Sequence, residues 1–372
     1  MTETVKETSK FKYPSLNGLR ALSIIFVIIS HLEFQHHLIQ DSFFCEPIKL
    51  FLLFFTDGHL GVNIFFIISG FLITSLLLTE EQKSQKVSLK NFYIRRVLRI
   101  FPAYYFFLFI LFIIQLKGFI YISMPSWLTA VTYTKYFNNL DWYTGHAWSL
   151  SIEELFYLVT PLLFTFGDNV RKRGAILIVL VIPLIKIFYH CMSLKNLPVM
   201  VDLEHMDALA TGCLVAFYKD ALLSILRKHF KLLFYTSFLV VFLFGYLPLI
   251  SKLLNINLDY ILVPFGSFCS LSNASNARCG ALTNVCVSII LLYSIYGHKG
   301  FWFKLINTKV LNYVGLLSYS IYLWQQLFIS GKSLSWASSF PLNLVFIVMF
   351  ALFSYYCIEA PFLKLKDKFQ KA

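Results

Sequence analysis

Apolar positions along this chain come in long unbroken runs, each closed by a short polar cluster. Runs of membrane-spanning length lie near 18–37, 60–79, 100–117, 147–166, 175–193, 204–218, 232–249, 281–297, 311–329 and 341–358. A run of roughly 20 apolar residues is what a helix needs to cross the hydrocarbon core of a bilayer. Strict apolar–polar alternation, the mark of a membrane β-barrel strand, is not seen in any of them. The pattern predicts an all-α integral membrane protein of about ten transmembrane helices. One further apolar piece, "YILVPFGSF" within 250–280, is too short to cross and reads as a re-entrant or interfacial half-helix.

Composition agrees with the pattern. Apolar residues make up 58% of the 372 positions and charged ones only 14%, more greasy surface than a water-soluble domain can hide. The net charge of +13 changes the picture only through its placement. With the N-terminus inside, Lys6, Lys10 and Lys12, the 83–99 cluster, Arg171 to Arg173 and the lysines of 364–371 all fall on one face. This one-sidedness predicts cytoplasmic N- and C-termini, a cytoplasmic 80–99 segment, and outer segments at 118–146 and 250–280. The charge therefore reports topology and contact with membrane lipids, not a nucleic-acid partner. No small-residue cleavage site follows the first run, which is read as a retained helix. The expected organisation is a tail over 1–17, a membrane domain over 18–358 and a basic cytoplasmic tail over 359–372. With no soluble domain expected after the last helix, the chemistry is expected within the membrane domain. Seven cysteines show no metal-ligand spacing, and no metal is implied. Cys269 and Cys279 flank the outer stretch "SLSNASNAR" and read either as a disulfide or as two free thiols.

The ionisable residues inside the runs carry the chemistry, because a charge placed there is costly and faces a partner or a wet cavity. In "LNGLRALSIIFVIISH", Arg20 and His31 are eleven positions apart. Eleven helical steps return to nearly the same face after a rise of roughly 16 Å. One stripe thus joins the inner surface to a titratable ring in the outer half. In "NFYIRRVLRIFPAYY", Arg95, Arg96 and Arg99 form a cationic patch at the inner rim. It reads either as a topology signal or as a site for a phosphorylated cytoplasmic ligand, since guanidinium matches phosphate with paired hydrogen bonds. In "HAWSLSIEELFYLVTPLL", Glu153 and Glu154 sit about two turns from the outer end, and Asp207 of "EHMDALATGC" is placed similarly. In "GVNIFFIISGFLIT", Ser69 and Gly70 fit close helix packing best, with the Ser69 hydroxyl a further candidate. A histidine beside a carboxylate makes a general base. His31 with Glu153 on a facing helix is the expected pair. The two depths together suggest a group transfer from a phosphate-rich cytoplasmic donor to an outer acceptor.

These same stretches resemble the acyltransferase type three family of membrane O-acyltransferases. "LNGLRALSIIFVIISH" is similar to its hallmark of arginine, ten residues, histidine. "GVNIFFIISGFLIT", "FYIRRVLRIFPAYY", "HAWSLSIEELFYLVTPLL", "MDALATGCLVA", "LLSYSIYLWQQLFI" and "SYYCIEAPFLKLK" resemble later blocks in the same order. The resemblance implies a ten-helix domain that moves an acyl group, commonly acetyl, from cytoplasmic acyl-CoA to a hydroxyl of a carbohydrate-type acceptor. It implies His31 as the catalytic histidine with Arg20 its hallmark partner. It implies Arg96 and Arg99 as the element tied to acyl-CoA, and Glu153 as the acidic position after "WSLS". Gln325 stands where many members have histidine, and the outer hydrolase-like domain fused to some members is not expected.

The leading reading is a multi-pass O-acetyltransferase of a bacterial inner membrane, using acetyl-CoA. The acceptor would be a lipid-linked or polymeric surface glycan such as lipopolysaccharide O-antigen or exopolysaccharide. Peptidoglycan and macrolides are alternative acceptors. A transporter of glycans or lipid-linked sugars is the rival, against which stands the lack of any internal repeat in the sequence. A scaffold in a polysaccharide assembly is a third reading, and it predicts tolerance of changes at His31.

Overall fold

The computed structural model describes residues 13, 15–37, 39, 45–137, 141–191, 205–254, 280–297, 300–329 and 336–369. Every regular element among them is helical. In chain order these are α1 (Ser15–His36), α2 (Glu46–Leu53), α3 (Gly58–Ser84), α4 (Leu89–Leu116), α5 (Met124–Val131), α6 (Trp142–Gly145), α7 (Ala147–Leu163) and α8 (Asp168–Cys191). There follow α9 (Met206–Phe217), α10 (Lys219–Leu226), α11 (Phe230–Leu254), α12 (Ala281–Tyr296), α13 (Phe301–Ile306), α14 (Lys309–Ile329), α15 (Leu342–Phe353) and α16 (Ala360–Lys366). A helix lies at each of the ten predicted spans. Five stretches among the described residues are long and apolar enough to cross a membrane: Ser15–His36, Gly58–Ser84, Leu89–Leu116, Lys219–Tyr246 and Leu342–Lys366. Others fall short for visible reasons. Helix α7 has 17 residues and α9 has 12. Helix α14 carries Ser318, Ser320, Gln325 and Gln326, all buried inside the protein. The residues of the predicted half-helix at 260–268, and Cys269 and Cys279, lie outside the described residues.

The packing turns soluble-protein logic inside out. Phe109, Phe112, Leu177, Leu180, Leu184 and Val345 point outward, as lipid-facing side chains do. Polar groups point inward and pair there, as where Asn63 of α3 donates to Asn284 of α12 at 2.7 Å. Helix α1 packs between α3 and α14, and α3 packs along α9. The α3–α9 crossing is very close. A Cβ on Gly70 would sit 2.0 Å from the Leu209 carbonyl oxygen, and one on Gly212 would sit 2.3 Å from that of Ile67. Only glycine allows this approach, which is the packing role expected of Gly70.

Local chemistry sets the helix ends. Asp57 caps α3 by accepting from the Leu60 amide at 3.0 Å, and α3 stops at Gln85, which adopts a left-handed φ of 59°. The last turns of α3 hold two acids that tie down its neighbours. Glu80 accepts from Arg95 of α4 at 2.7 Å, and both Glu81 oxygens accept from Arg171 of α8 at 2.9 and 2.8 Å. Helix α5 is pinned to α4, where Tyr104 and Tyr105 donate to the carbonyls of Ala130 and Val131. Helix α15 runs through a π-helical stretch, Ser354–Glu359, into α16. Such wide turns re-aim side chains within a helix and often mark functional positions.

Candidate active site

A cavity of about 370 Å³ lies among α1, α3, α4, α7 and α14, with the α15–α16 region closing one side. Its cationic lining is Arg20, Arg96 and Arg99, joined by Lys364 and Lys366. Its acidic lining is Glu153, Glu154 and Glu359. Along α3 the lining runs from Val62 to Ile73, a depth of about 16 Å at helical rise. A second cavity of about 280 Å³ shares Arg96, Arg99 and Lys366 with the first and adds Glu80, Lys83 and Arg95. The two form one basic approach at the ends of α3 and α4.

Within the main cavity the polar groups form a connected chain. Ser69 donates a short hydrogen bond to Glu153, and Tyr157 donates to the same carboxylate oxygen at 3.2 Å. The Arg96 guanidinium lies over the Tyr157 ring at 4.9 Å and near that of Phe92 at 5.4 Å. Glu359 accepts from Ser320. Ser69 thus does more than allow close packing, because its hydroxyl holds a carboxylate from the facing helix. The α4 arginines divide. Arg96 and Arg99 line the main cavity, whereas Arg95 turns aside to Glu80 and to the Phe369 carbonyl at 3.1 Å.

His31 belongs to a different layer. Its Nδ1 meets Gln325 Oε1 of α14 at 3.0 Å. Its ring lies edge-on to Trp142 at 5.7 Å, and Trp142 in turn stacks on Phe34 at 6.0 Å. The Trp142 indole N–H donates to the Gln326 carbonyl at 2.8 Å. Gln326 Oε1 accepts from the His146 amide at 3.1 Å. Below this layer, the Tyr322 hydroxyl donates to the His146 carbonyl at 2.8 Å and meets the Ser149 hydroxyl at 2.6 Å. Tyr322 and Ser149 line the end of the cavity away from Arg96 and Arg99. Tyr322 stands three residues before Gln325, about 4.5 Å of helical rise. The His31 layer therefore begins one helical turn beyond the cavity's end.

The expected pairing of His31 with Glu153 is not what the structure contains. Glu153 is engaged by Ser69 and Tyr157 in the cavity, and the group on the His31 Nδ1 is an amide. The physical reason is the register of α7. Its first two turns are occupied by the Ser149–Tyr322 contact and by Ser151 bonding back to Ala147, so Glu153 lies further toward the arginine-lined end of the cavity than a count from the start of α7 suggests. Arg20, Arg96, Arg99, Ser69, Glu153 and Glu154 are brought together. Asp207 is not part of this cavity. It is buried in the first turn of α9, next to His205, whose ring stacks on His59 at 6.0 Å and lies 5.1 Å from Trp148. Sequence reasoning missed Glu359, Tyr157, Tyr322 and Trp142. The block "SYYCIEAPFLKLK" carried the signal for Glu359, a lone acid in an apolar run. Among the described residues no group of three His, Cys, Asp or Glu side chains is placed to hold a metal.

The arrangement can bind an anion at its basic rim, admit an apolar arm, and present a histidine beyond the far end. Comparison with known proteins bears on this directly. An O-acetyltransferase, OatA, of Staphylococcus aureus strain NCTC 8325 is 29% identical over 332 residues, covering 84% of this chain and 49% of that protein. A peptidoglycan O-acetyltransferase, OatA, of Listeria monocytogenes is 28% identical over 348 residues, covering 86% of this chain and 50% of that protein. The chain thus spans about half the length of these curated relatives. No solved structure matches it. The family model described as an acyltransferase domain matches residues 13–359, nearly the whole chain. The chain belongs to that acyltransferase family.

Proposed function

We propose that this chain is a multi-pass bacterial membrane O-acetyltransferase that moves an acetyl group from cytoplasmic acetyl-CoA to a hydroxyl of a surface glycan. The observation that carries the reading is the cavity itself. It leads from a cluster of arginines and lysines at one end to within a turn of His31 at the other. Arg96 and Arg99 take the donor's phosphates, with Arg95 and Lys83 at the second cavity extending the same basic approach. Guanidinium forks suit phosphate oxygens, and the surrounding low dielectric strengthens them. The pantetheine arm lies along the apolar wall of α3. The roughly 16 Å between Arg20 and His31 is of the order an extended arm covers.

The chemistry then needs little else. His31 removes the proton from the acceptor hydroxyl while its oxygen attacks the thioester carbonyl. The carbon–sulfur bond breaks, CoA leaves as the thiolate, and the imidazolium supplies the proton that the thiolate takes up. Positioning and a base supply most of the rate. Glu153 balances the charge of Arg20 and Arg96 and is not assigned to the proton transfer. Both termini and the 80–99 segment are cytoplasmic on this reading, and the membrane is the inner one. Peptidoglycan, which the name of the Listeria relative carries, is the first acceptor to try, ahead of O-antigen and exopolysaccharide.

The test is release of free CoA from acetyl-CoA by the purified full chain in lipid, with and without a glycan acceptor. Acceptor-dependent CoA release that disappears in His31→Ala supports the reading. No release with any acetyl-CoA and glycan combination, or movement of an intact glycan across the bilayer instead, would favour the transporter.

A further inference from the structure

Gln325 is fully buried, and its carbonyl oxygen sits 3.0 Å from the His31 Nδ1. The amide nitrogen of the same side chain has no hydrogen-bond partner. Burying an amide donor unpaired costs about 1–3 kcal/mol, which a leucine or methionine of similar size would avoid. The position therefore keeps an amide despite that cost, and what the amide supplies is its oxygen on the histidine ring. The rest of the layer cannot do this job. Trp142 meets the ring by its edge, and its only polar atom is committed to the Gln326 carbonyl.

We infer that Gln325 is the positioning residue of the reaction: its Oε1 accepts the Nδ1 proton of His31, fixes that tautomer, and leaves Nε2 as the lone pair that takes the proton from the acceptor hydroxyl. The inference rests on the proposed role of His31 as base. An imidazole has one donor and one acceptor nitrogen when neutral, and the partner on one nitrogen decides the state of the other. With a carboxylate there, the imidazolium would be strongly stabilised. An amide fixes the tautomer without adding charge, which suits a base held away from bulk water. Among the described residues, the titratable groups facing His31 are His59 at the start of α3 and His146 before α7, neither of them an acid. On its own helix, Glu33 is turned to the Ile39 amide, which it accepts at 2.6 Å.

The test compares Gln325→Met, Gln325→Glu and His31→Ala in the purified full chain, reading kcat, the KM for acetyl-CoA, and the pH dependence of kcat. Gln325→Met keeps the volume and removes the acceptor. It should lower kcat by roughly tenfold to a hundredfold, the scale on which loss of a metal-bound histidine's hydrogen-bond partner acts, with KM for acetyl-CoA unchanged. Gln325→Glu keeps the acceptor and adds a charge that favours the imidazolium. Its activity should therefore rise at higher pH than in the parent, and approach the parent's at the alkaline plateau. A merely structural role would lower the yield of folded protein without moving the pH profile or splitting kcat from KM. Parent-like kcat in Gln325→Met, or a Gln325→Glu profile that coincides with the parent's, overturns the inference. If Gln325→Glu does not fold, the split in Gln325→Met decides alone. An active His31→Ala would instead remove the His31 reading on which the inference stands, so the two failures are told apart.

Discussion

The inner cavity and the His31 layer differ first in charge. The cavity gathers three arginines and three glutamates within one enclosure, with two lysines beside them. The layer one turn above it is built from neutral groups: an amide on the histidine, an indole on its edge bonded to the Gln326 main-chain carbonyl, and the Gln326 side-chain amide on the His146 backbone. The difference teaches how a single small bundle can separate two tasks. Holding a polyanionic donor needs fixed charge, whereas a general base needs one fixed tautomer, which a neutral amide can set without adding charge. Damage to the two regions should accordingly appear in different kinetic constants.

The largest effect should come from the neutral layer. His31→Ala should lower acyl transfer by at least roughly a hundredfold, within the 10²–10⁴ range for loss of a general base, while acetyl-CoA binding measured by titration calorimetry stays at the parent value. The charged cavity should respond in the opposite sense. Arg96→Ala and Arg99→Ala should each weaken acetyl-CoA binding by roughly tenfold to a hundredfold, from the about 1.5–3 kcal/mol of a charge-assisted hydrogen bond. Lysine at either place should restore only part of it, because it lacks the planar fork. Arg95→Ala should cost less than either, since Arg95 is already held by Glu80.

Much of this division was legible in the sequence. Arg20, Arg96 and Arg99 announced themselves as cations inside or at the edge of apolar runs, and their places near the ends of those runs put them at a similar depth. His31 was legible for the same reason. What was not legible is which groups touch. Adjacent helices slide past one another in steps of a side chain, and the count from a helix end fixes depth only to within a turn. That uncertainty is what put Glu153 opposite His31, when the register of α7 places it at Ser69 and Tyr157 instead. Gln325 was visible only as a departure from a family pattern, because an amide within an apolar run carries no charge to betray its partner. Glu359 was visible only as a lone acid in an apolar run, and because it ends a π-helical stretch regular helical spacing does not give its facing.

Glu153→Gln sharpens the comparison, because it separates the two placements of that residue. If Glu153 belongs to the cavity, the variant should shift acetyl-CoA affinity by several-fold, on the scale of one altered charge-assisted contact, and leave the pH at which activity rises where it is in the parent. A shift of that pH toward acid would return Glu153 to the side of His31.

The smallest effect on rate should come from the strap that carries Trp142. Asp141 caps α6 through the Thr144 amide at 2.9 Å and accepts from the fully buried Lys135 at 2.6 Å. Burial alone would raise its carboxyl, but the hydrogen bonds from Lys135 and Thr144 outweigh that and hold it below the ordinary carboxylate value. A depressed carboxylate stabilises the fold above its unfolded pKa, and that share is lost as pH falls through the folded value. Thermal melts should therefore show the strap loosening only below the ordinary carboxylate range. Asp141→Ala should remove that acid dependence and lower stability by about 3–5 kcal/mol, because Lys135 is left buried without its partner. Acyl transfer by the folded fraction should fall only a few-fold, as Trp142 loses its anchor but His31 keeps Gln325.

The most direct measurement is single-turnover acetyl transfer at saturating acetyl-CoA, made side by side in His31→Ala and in the Arg96→Ala, Arg99→Ala double variant. If the cavity binds and the layer above it reacts, the arginine variant should transfer at nearly the parent rate once saturated, and His31→Ala should hold its acetyl-CoA and transfer at least roughly a hundredfold more slowly. Equal loss of the saturated rate in both, or transfer at the parent rate by His31→Ala, would contradict the division of the molecule into a charged binding cavity and a neutral reacting layer.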